Sequence, residues 1–197
     1  MSNGAEAAVY AARLFLWKLG LNEVVLELDF KNAFNSVQWD KMLAAVQKFE
    51  PNLLPFIHSS YSSQSFLFWN DKVIKSYEGV QQGDPLGPLL FCLIIYQISL
   101  KLKSQLCLLY LDDVTMGGKV EDVLHDLEVI KRDGEELGLI LNGKKSEIIS
   151  GCVVSSNNIL SCLPDAHIVP PAKATLLGSP IGDVNSISDI TKRRFTS

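Results

Sequence analysis

Short apolar runs alternate with amphipathic segments along this chain, and that alternation constrains its fold more than any other feature of the sequence. Residues 24–30 (VVLELDF) and 105–111 are almost continuously apolar, which predicts strands buried on both faces. Residues 40–49 and 120–137 repeat apolar side chains at helical spacing. Residues 65–76 predict two strands joined by a turn at Asn70-Asp71. Antiparallel hairpins interleaved with helices predict an α+β domain of two layers.

Glycine and proline set the bounds of the remaining segments. These segments are a helix over 5–19, a short helix ending at Tyr61, an apolar helix ending near residue 103, a strand over 114–116 that Gly117-Gly118 ends, a strand over 147–150, a loop over 151–173 and a strand over 174–177.

Composition excludes several classes of protein. Of 197 residues, 47% are hydrophobic and 20% charged, which excludes disorder, a collagen helix and a coiled-coil rod. The four cysteines contain no C-x-x-C pair, which argues against a disulfide scaffold and a structural zinc site. Cys152, Cys162 and His167 lie close in sequence, but their spacing favours two buried thiols and a surface histidine over metal ligands.

Charge and hydropathy indicate an intracellular chain. The net charge is −4, so any binding of nucleic acid must depend on a local site or on segments outside this chain. The longest uncharged run, residues 85–100, is shorter than the roughly 20 residues that span a bilayer. Residues 5–21 carry Glu6, Arg13 and Lys18, which argues against a signal peptide. We therefore expect a cytoplasmic or nuclear location.

Three carboxylates stand where buried strands end. Asp29 ends one strand, and the pair Asp112-Asp113 ends another. Two bare carboxylates 4 Å apart would repel by about 4 kcal/mol at an effective dielectric near 20, and a divalent cation between them reverses the sign. Oxygen ligands without histidine or cysteine favour Mg²⁺ or Mn²⁺. The alternative for the aspartate pair is an ordinary turn between strands.

A loop and an aromatic residue complete the candidate site. Residues 79–88 (GVQQGDPLGP) hold three glycines, which let main-chain N–H groups approach a ligand, and Gln82 can donate and accept hydrogen bonds there. A plain surface loop is the alternative. Phe34 is either a core aromatic or, beside a bound nucleotide, fills the space that a ribose 2′-hydroxyl needs.

Four motifs in this order resemble the palm of a reverse transcriptase, closest in style to those of non-LTR retrotransposons. They are LELDFKNAFNSV, GVQQGDPLGPLLF, LLYLDDV and GLILNGKKSE. The resemblance implies a palm-like antiparallel sheet packed on helices, with partial fingers and no complete thumb. It further implies a partial reverse transcriptase domain over 1–182 and a truncated C-terminal segment over 183–197.

The resemblance also implies roles for individual residues. Asp29 matches the D-x-x-x-A-F pattern, and Asp112-Asp113 match Y-x-D-D, which implies that all three are catalytic and bind two Mg²⁺ (or Mn²⁺) ions. Lys145 matches a lysine near the leaving pyrophosphate, although a solvent-facing lysine beside Lys144 is the alternative.

Further positions match residues that contact the nucleotide and the primer. Phe34 matches the aromatic that excludes ribonucleotides, while Phe30, Gln82 and Gly83 match nucleotide contacts. Leu177-Gly178 matches the hairpin that supports the primer end. The implied activity is DNA synthesis from deoxynucleoside triphosphates on an RNA (or DNA) template with a DNA primer, by two-metal nucleotidyl transfer, as part of a retroelement enzyme.

Other interpretations stay open. Only about 23 residues precede the first strand, and basic fingers and thumb segments are missing, which favours a decayed retroelement fragment without independent activity. An RNA-dependent RNA polymerase shares the palm, but Phe34 argues against it because such an enzyme must admit the 2′-hydroxyl. A nucleotide cyclase is a weaker alternative, because the loop signature of cyclases is absent from this sequence.

Overall fold

The computed structural model describes residues 4–81 and 83–182, within which the chain forms seven α-helices and nine strands. The helices are α1 (Gly4–Trp17), α2 (Ala33–Ser36), α3 (Trp39–Phe49), α4 (Leu54–Tyr61), α5 (Gly87–Ser99), α6 (Val120–Glu136) and α7 (Val153–Cys162). The strands are β1 (Glu23–Leu28), β2 (Ser65–Trp69), β3 (Lys72–Ser76), β4 (Leu106–Tyr110), β5 (Asp113–Lys119), β6 (Glu147–Ile149), β7 (His167–Val169), β8 (Thr175–Leu176) and β9 (Ser179–Pro180).

The chain divides into two compact units. Among the described residues, the first comprises those within 4–29, 103–127 and 142–182, and the second comprises those within 30–102 and 128–141. The segment 183–197, predicted to be a separate truncated end, lies outside the described residues.

A five-stranded sheet organises the first unit. Its strand order is β4-β5-β1-β6-β7, and every neighbouring pair is antiparallel except β6 and β7. The α+β class predicted from the sequence is therefore confirmed. In the register, Glu27 lies opposite Thr115 on one side and Glu147 on the other, and Leu28 lies opposite Val114.

Helix α1 covers part of one face of this sheet. The cluster that it forms with the sheet and with the β8–β9 hairpin contains the buried residues Val9, Ala12, Leu16, Val25, Leu106, Ile149, Ala174, Leu176 and Ile181. Because side chains alternate along a strand, Val25, Glu27 and Asp29 project to the same side of β1. The covered apolar face therefore becomes acidic toward the end of β1.

Two sequence predictions in this unit are wrong. Gly117-Gly118 does not end a strand, because β5 runs through both residues to Lys119. A Cβ at Gly117 would lie 2.9 Å from the Phe15 ring, so this glycine admits α1 close to the sheet.

The segment 151–173 is also more ordered than the predicted loop, since it forms α7 and β7. Two of its serines are buried and hydrogen-bonded: Ser155 Oγ donates to the Leu21 carbonyl at 3.0 Å, and Ser156 Oγ donates to the Cys152 carbonyl at 3.1 Å. Contacts distant in sequence thus override the weak local helix preference of serine and asparagine.

The second unit holds helices α2 to α5 and the β2–β3 hairpin. Helix α3 buries Met42, Ala45 and Val46, and α5 buries an apolar stripe that includes Phe91. The hairpin has the predicted strands and turn, with Trp69 opposite Lys72. Among the described helices, none combines the length and the apolarity needed to cross a membrane.

Candidate active site

The Asp112-Asp113 pair lies at the tip of the β4–β5 hairpin. Tyr110 pairs with Asp113, so Leu111 and Asp112 form a two-residue turn. Leu111 has a φ of 57°, in the left-handed region that glycine usually occupies. The turn places both aspartates beside the end of β1.

Asp29 follows β1 and comes next to the aspartate pair. Since Leu28 lies opposite Val114, the next position in the register brings residue 29 beside Asp113. The pKa of Asp113 is raised by loss of hydration, then by the negative charges of Asp112 and Asp29. The three acids predicted from the sequence therefore converge in the first unit.

The segment 142–146 holds Asp29 at several atoms. Asn142 N donates to the Asp29 carbonyl at 2.8 Å, and Asn142 Nδ2 donates to Asp29 Oδ2 at 3.0 Å. Asp29 N donates to Ser146 Oγ at 3.4 Å. Sequence reasoning missed Asn142 and Ser146 because the Asn-Gly pair predicted only a turn; their place in the same motif as Lys145 was the available signal.

Lys145 brings positive charge to this segment. Its Nζ lies 4.0 Å from Asp29 Oδ2, and its side chain is 70% exposed. The ammonium group therefore lies near a candidate cation ligand and is also accessible to solvent. This position is compatible both with a role near the leaving pyrophosphate and with a solvent-facing lysine.

Glu27 is a further acid that sequence reasoning missed. It lines a cavity of about 230 Å³ together with Asp113, Thr115 and the predicted primer-supporting residues Leu177 and Gly178. Its Oε1 is buried and has no hydrogen-bond partner among the described residues. Burial raises the pKa of Glu27 to about 8, helped by the charges of Glu147 and Asp113.

Leu177 and Gly178 form the turn between β8 and β9. Both have positive φ, 49° and 70°, as a two-residue type I′ hairpin requires. The predicted primer support thus lies in the first unit and lines the same cavity as Asp113.

Replacing Glu27 by Gln is expected to stabilise the chain at alkaline pH. The folded chain keeps this proton up to about pH 8, whereas the unfolded chain releases it near the ordinary value of 4.5, so stability falls as the pH rises between these values. The full shift corresponds to about 4 kcal/mol at pH 8, and partial exposure of the side chain reduces the expected gain to about 2 kcal/mol.

Melting temperatures at pH 5 and pH 8, measured in chelator, check this expectation, with the exposed Glu136→Gln as the control. Glu27→Gln should lose less stability than the parent between the two pH values. Parallel pH profiles of the two proteins would contradict it.

The predicted nucleotide contacts belong to the second unit. The Phe34 ring stacks on Phe91 with centroids 4.5 Å apart, and Phe34 is half-buried. Phe30 is 4% exposed, so its ring is part of the core. Gly83 has a φ of 90°, and Gln82 lies outside the described residues.

The loop that follows β3 is held in place by a buried tyrosine. Val80 N donates to the Phe34 carbonyl at 2.6 Å, which joins the loop to the aromatic residue. Tyr61 Oη accepts from Gln81 N at 3.1 Å and donates to Asp84 Oδ2 at 2.6 Å. The loop therefore has a defined conformation on both sides of residue 82.

The donor set around Asp29 fits a divalent cation chemically. Three carboxylates come together, and the pKa of Asp113 is raised by loss of hydration and then by the charges of the other two, a repulsion that a bound cation would offset. As they stand, the described residues contain no cluster of three or more His, Cys, Asp or Glu side chains spaced to hold a metal ion.

Comparison with known proteins identifies relatives. The model of the family described as reverse transcriptase (RNA-dependent DNA polymerase) matches residues 4–181. No curated protein sequence matches.

Telomerase structures from two Candida species resemble the fold. Telomerase from Candida tropicalis in complex with a TWJ fragment of telomeric RNA aligns with a TM-score of 0.63 and 14% identity, covering 90% of this chain and 32% of that chain. The apo form aligns at 0.57 and 14%, covering 74% and 32%. Telomerase from Candida albicans, with a TWJ fragment of telomeric RNA, aligns at 0.56 and 13%, covering 77% and 32%. At these identities the likeness shows the fold alone, and the chain spans about a third of those proteins.

Proposed function

The chain belongs to the reverse transcriptase (RNA-dependent DNA polymerase) family, and we propose that it supplies the catalytic acids for DNA synthesis on an RNA (or DNA) template. We place it in a retroelement enzyme of the non-LTR type, on the strength of the motifs from LELDFKNAFNSV to GLILNGKKSE. The substrates are deoxynucleoside triphosphates and the end of a DNA primer. The RNA template is proposed from the family, which is described as RNA-dependent.

One observation supports the proposal most strongly. Asp29, Asp112 and Asp113 come from two segments far apart in sequence, yet they meet where neighbouring strands end and interact electrostatically. Without a cation, like charges this close together destabilise the folded chain. Such crowding is typical of sites that bind cations.

Mg²⁺ (or Mn²⁺) is the cofactor that these ligands fit, with Asp29 and Asp112 as principal ligands and Asp113 as the weaker one. A pair of such ions held by these residues would lower the pKa of the primer 3′-hydroxyl and offset charge on the leaving oxygen. Phosphoryl transfer depends mainly on positioning and electrostatics, so the remaining work falls to side chains that orient the reactants.

Side chains and main-chain groups of both units are the candidates for that role. Lys145, whose Nζ lies 4.0 Å from Asp29 Oδ2 and is mostly exposed, would neutralise or protonate the pyrophosphate leaving group. Leu177-Gly178 lines the same cavity as Asp113, and the primer end would rest there. Phe34 and the glycine loop with Gln82 and Gly83 bind the incoming nucleotide, with Phe30 contributing its main chain.

Replacing Phe34 by alanine is expected to weaken the discrimination between deoxyribonucleotides and ribonucleotides. The Phe34 ring is fixed by stacking on Phe91, so it presents a rigid edge to a 2′-hydroxyl. Steric exclusion of this size is worth about 1–3 kcal/mol, or roughly 10- to 100-fold in discrimination. The ratio of kcat/KM for deoxynucleotide to that for ribonucleotide measures the effect. An unchanged ratio would remove this role from Phe34.

Primer extension tests the proposed function. The full chain is incubated with a DNA primer on an RNA template, deoxynucleotides and either Mg²⁺ or a chelator. Extension that needs the cation supports the proposal.

An inert, decayed fragment is the second candidate, favoured by the net charge of −4 in a family that binds nucleic acid. Melting curves with Mg²⁺ and deoxynucleotide separate the two, since ligands that bind only the folded chain stabilise it. A shift of several degrees counts against the inert fragment, and no shift together with no extension overturns the proposed function.

A further inference from the structure

We propose that Asn142 is a positioning residue that sets the cation affinity of the acidic site by orienting the Asp29 carboxylate. This inference rests on the proposed function, because it gives Asp29 the role of a ligand. It is carried by the contacts between Asp29 and the segment that begins at Asn142.

Asn142 donates hydrogen bonds to Asp29 from both its main chain and its side chain. The main-chain N–H donates to the Asp29 carbonyl at 2.8 Å, and the amide Nδ2 donates to Oδ2 of the carboxylate at 3.0 Å. The first bond fixes the main chain of Asp29, and the second fixes the rotation of its carboxylate. Together they determine where both carboxylate oxygens point.

The two oxygens of the Asp29 carboxylate have different surroundings. Asn142 Nδ2 and the more distant Lys145 Nζ, at 4.0 Å, both approach Oδ2. Oδ1 is therefore the oxygen left to face a cation, because its partner is already engaged by a donor. Hydrogen bonds of this kind from neighbouring residues typically change metal affinity or activity by 10- to 100-fold.

An amide suits this position better than a charged group. A second carboxylate at residue 142 would add to the repulsion that Asp112 and Asp29 already exert on Asp113. An ammonium group as close as the amide would compete with the cation. Asparagine donates a hydrogen bond without adding charge.

The main-chain contacts around Asn142 do not depend on the Asn142 side chain. Ser146 is fully buried, its Oγ donates to the Asn142 carbonyl at 3.0 Å, and it also accepts from Asp29 N. Asn142 has a φ of −101°, a value that any residue adopts, so alanine there introduces no main-chain strain. The side-chain contribution can therefore be removed while the main-chain contacts remain.

The test measures cation affinity first and activity second. Mn²⁺ binding, followed by the electron paramagnetic resonance signal of the free ion, is compared for the parent, Asn142→Ala and the exposed control Asn157→Ala. We expect Asn142→Ala to weaken binding about tenfold and Asn157→Ala to leave it unchanged. In primer extension, Asn142→Ala should lower kcat with little change in the KM for deoxynucleotide.

A double-mutant cycle separates a positioning role from a structural one. In an Asp29→Ala background the amide has no carboxylate to orient, so adding Asn142→Ala should not weaken the residual Mn²⁺ binding further. An equal tenfold loss with and without Asp29 overturns the inference. Asn142→Leu, which has a similar size and adds no charge but cannot donate, serves if the alanine variant unfolds; it should lose kcat, and a parental kcat overturns the inference as well.

The outcomes also distinguish this inference from the proposed function. If Asp29→Ala weakens Mn²⁺ binding and Asn142→Ala behaves like Asn157→Ala, the inference fails and the proposed function stands. If neither Asp29→Ala nor Asn142→Ala changes Mn²⁺ binding, the site itself is wrongly assigned and both fail.

Discussion

Replacing Asp29 by alanine is expected to abolish Mg²⁺-dependent primer extension and to leave the fold intact. The Asp29 side chain is 27% exposed at the end of β1, so its removal leaves no cavity in the core. The loss of one of three converging carboxylates removes a principal cation ligand. We expect extension to fall by at least about 1,000-fold, which corresponds to roughly 4 kcal/mol of activation free energy.

The matched control is Asp165→Ala, which removes an exposed aspartate of the same unit. It should extend primers at the parental rate. Circular dichroism and melting temperature verify that both variants are folded. If Asp29→Ala extended primers as fast as Asp165→Ala, Asp29 could not be a catalytic ligand.

Replacing Gly79 by alanine is expected to destabilise the second unit strongly, whereas the same change at Gly83 is milder. Both glycines have positive φ, 79° and 90°, which costs alanine about 1–2 kcal/mol. At Gly79 the new Cβ would also lie 2.7 Å from Cα and O of Asn35, which are main-chain atoms. At Gly83 nothing lies within 4 Å. Displacing the main chain typically costs a further 1–3 kcal/mol or so.

The total expected for Gly79→Ala is therefore about 2–5 kcal/mol, against about 1–2 kcal/mol for Gly83→Ala. Urea unfolding of the two variants beside the parent measures both values. Because Val80 N bonds the Phe34 carbonyl, Gly79→Ala should also raise the KM for deoxynucleotide. Equal destabilisation by the two substitutions would show that the close approach of Asn35 to Gly79 does not contribute to the loss of stability.

Local patterns predicted the elements whose signal lies within a few residues. The β2–β3 hairpin is set by its turn and alternating strands, and α6 by its apolar spacing with Gly138 after it. Gly138 has a φ of 86°, as a residue that ends a helix requires. The three aspartates were found because each acid ends an apolar run.

The missed features depend on partners far away in sequence. Helix α7 forms because Ser155 reaches the Leu21 carbonyl, and β5 continues through Gly117 because Phe15 packs on it. Asn142 matters only through Asp29, 113 residues away. The pKa of Glu27 rises only once the fold buries its side chain and brings Glu147 and Asp113 close to it. No local pattern contains these pairs.

The leucines at two hairpin tips have main-chain conformations that few residue types adopt without strain. Leu111 and Leu177 have φ values of 57° and 49°, where a branched, bulky side chain is strained by about 1–2 kcal/mol. Glycine, asparagine or aspartate would relieve that tension at either tip. Laboratory selection for heat resistance should therefore enrich those three residues at positions 111 and 177, and should purge valine and isoleucine from both.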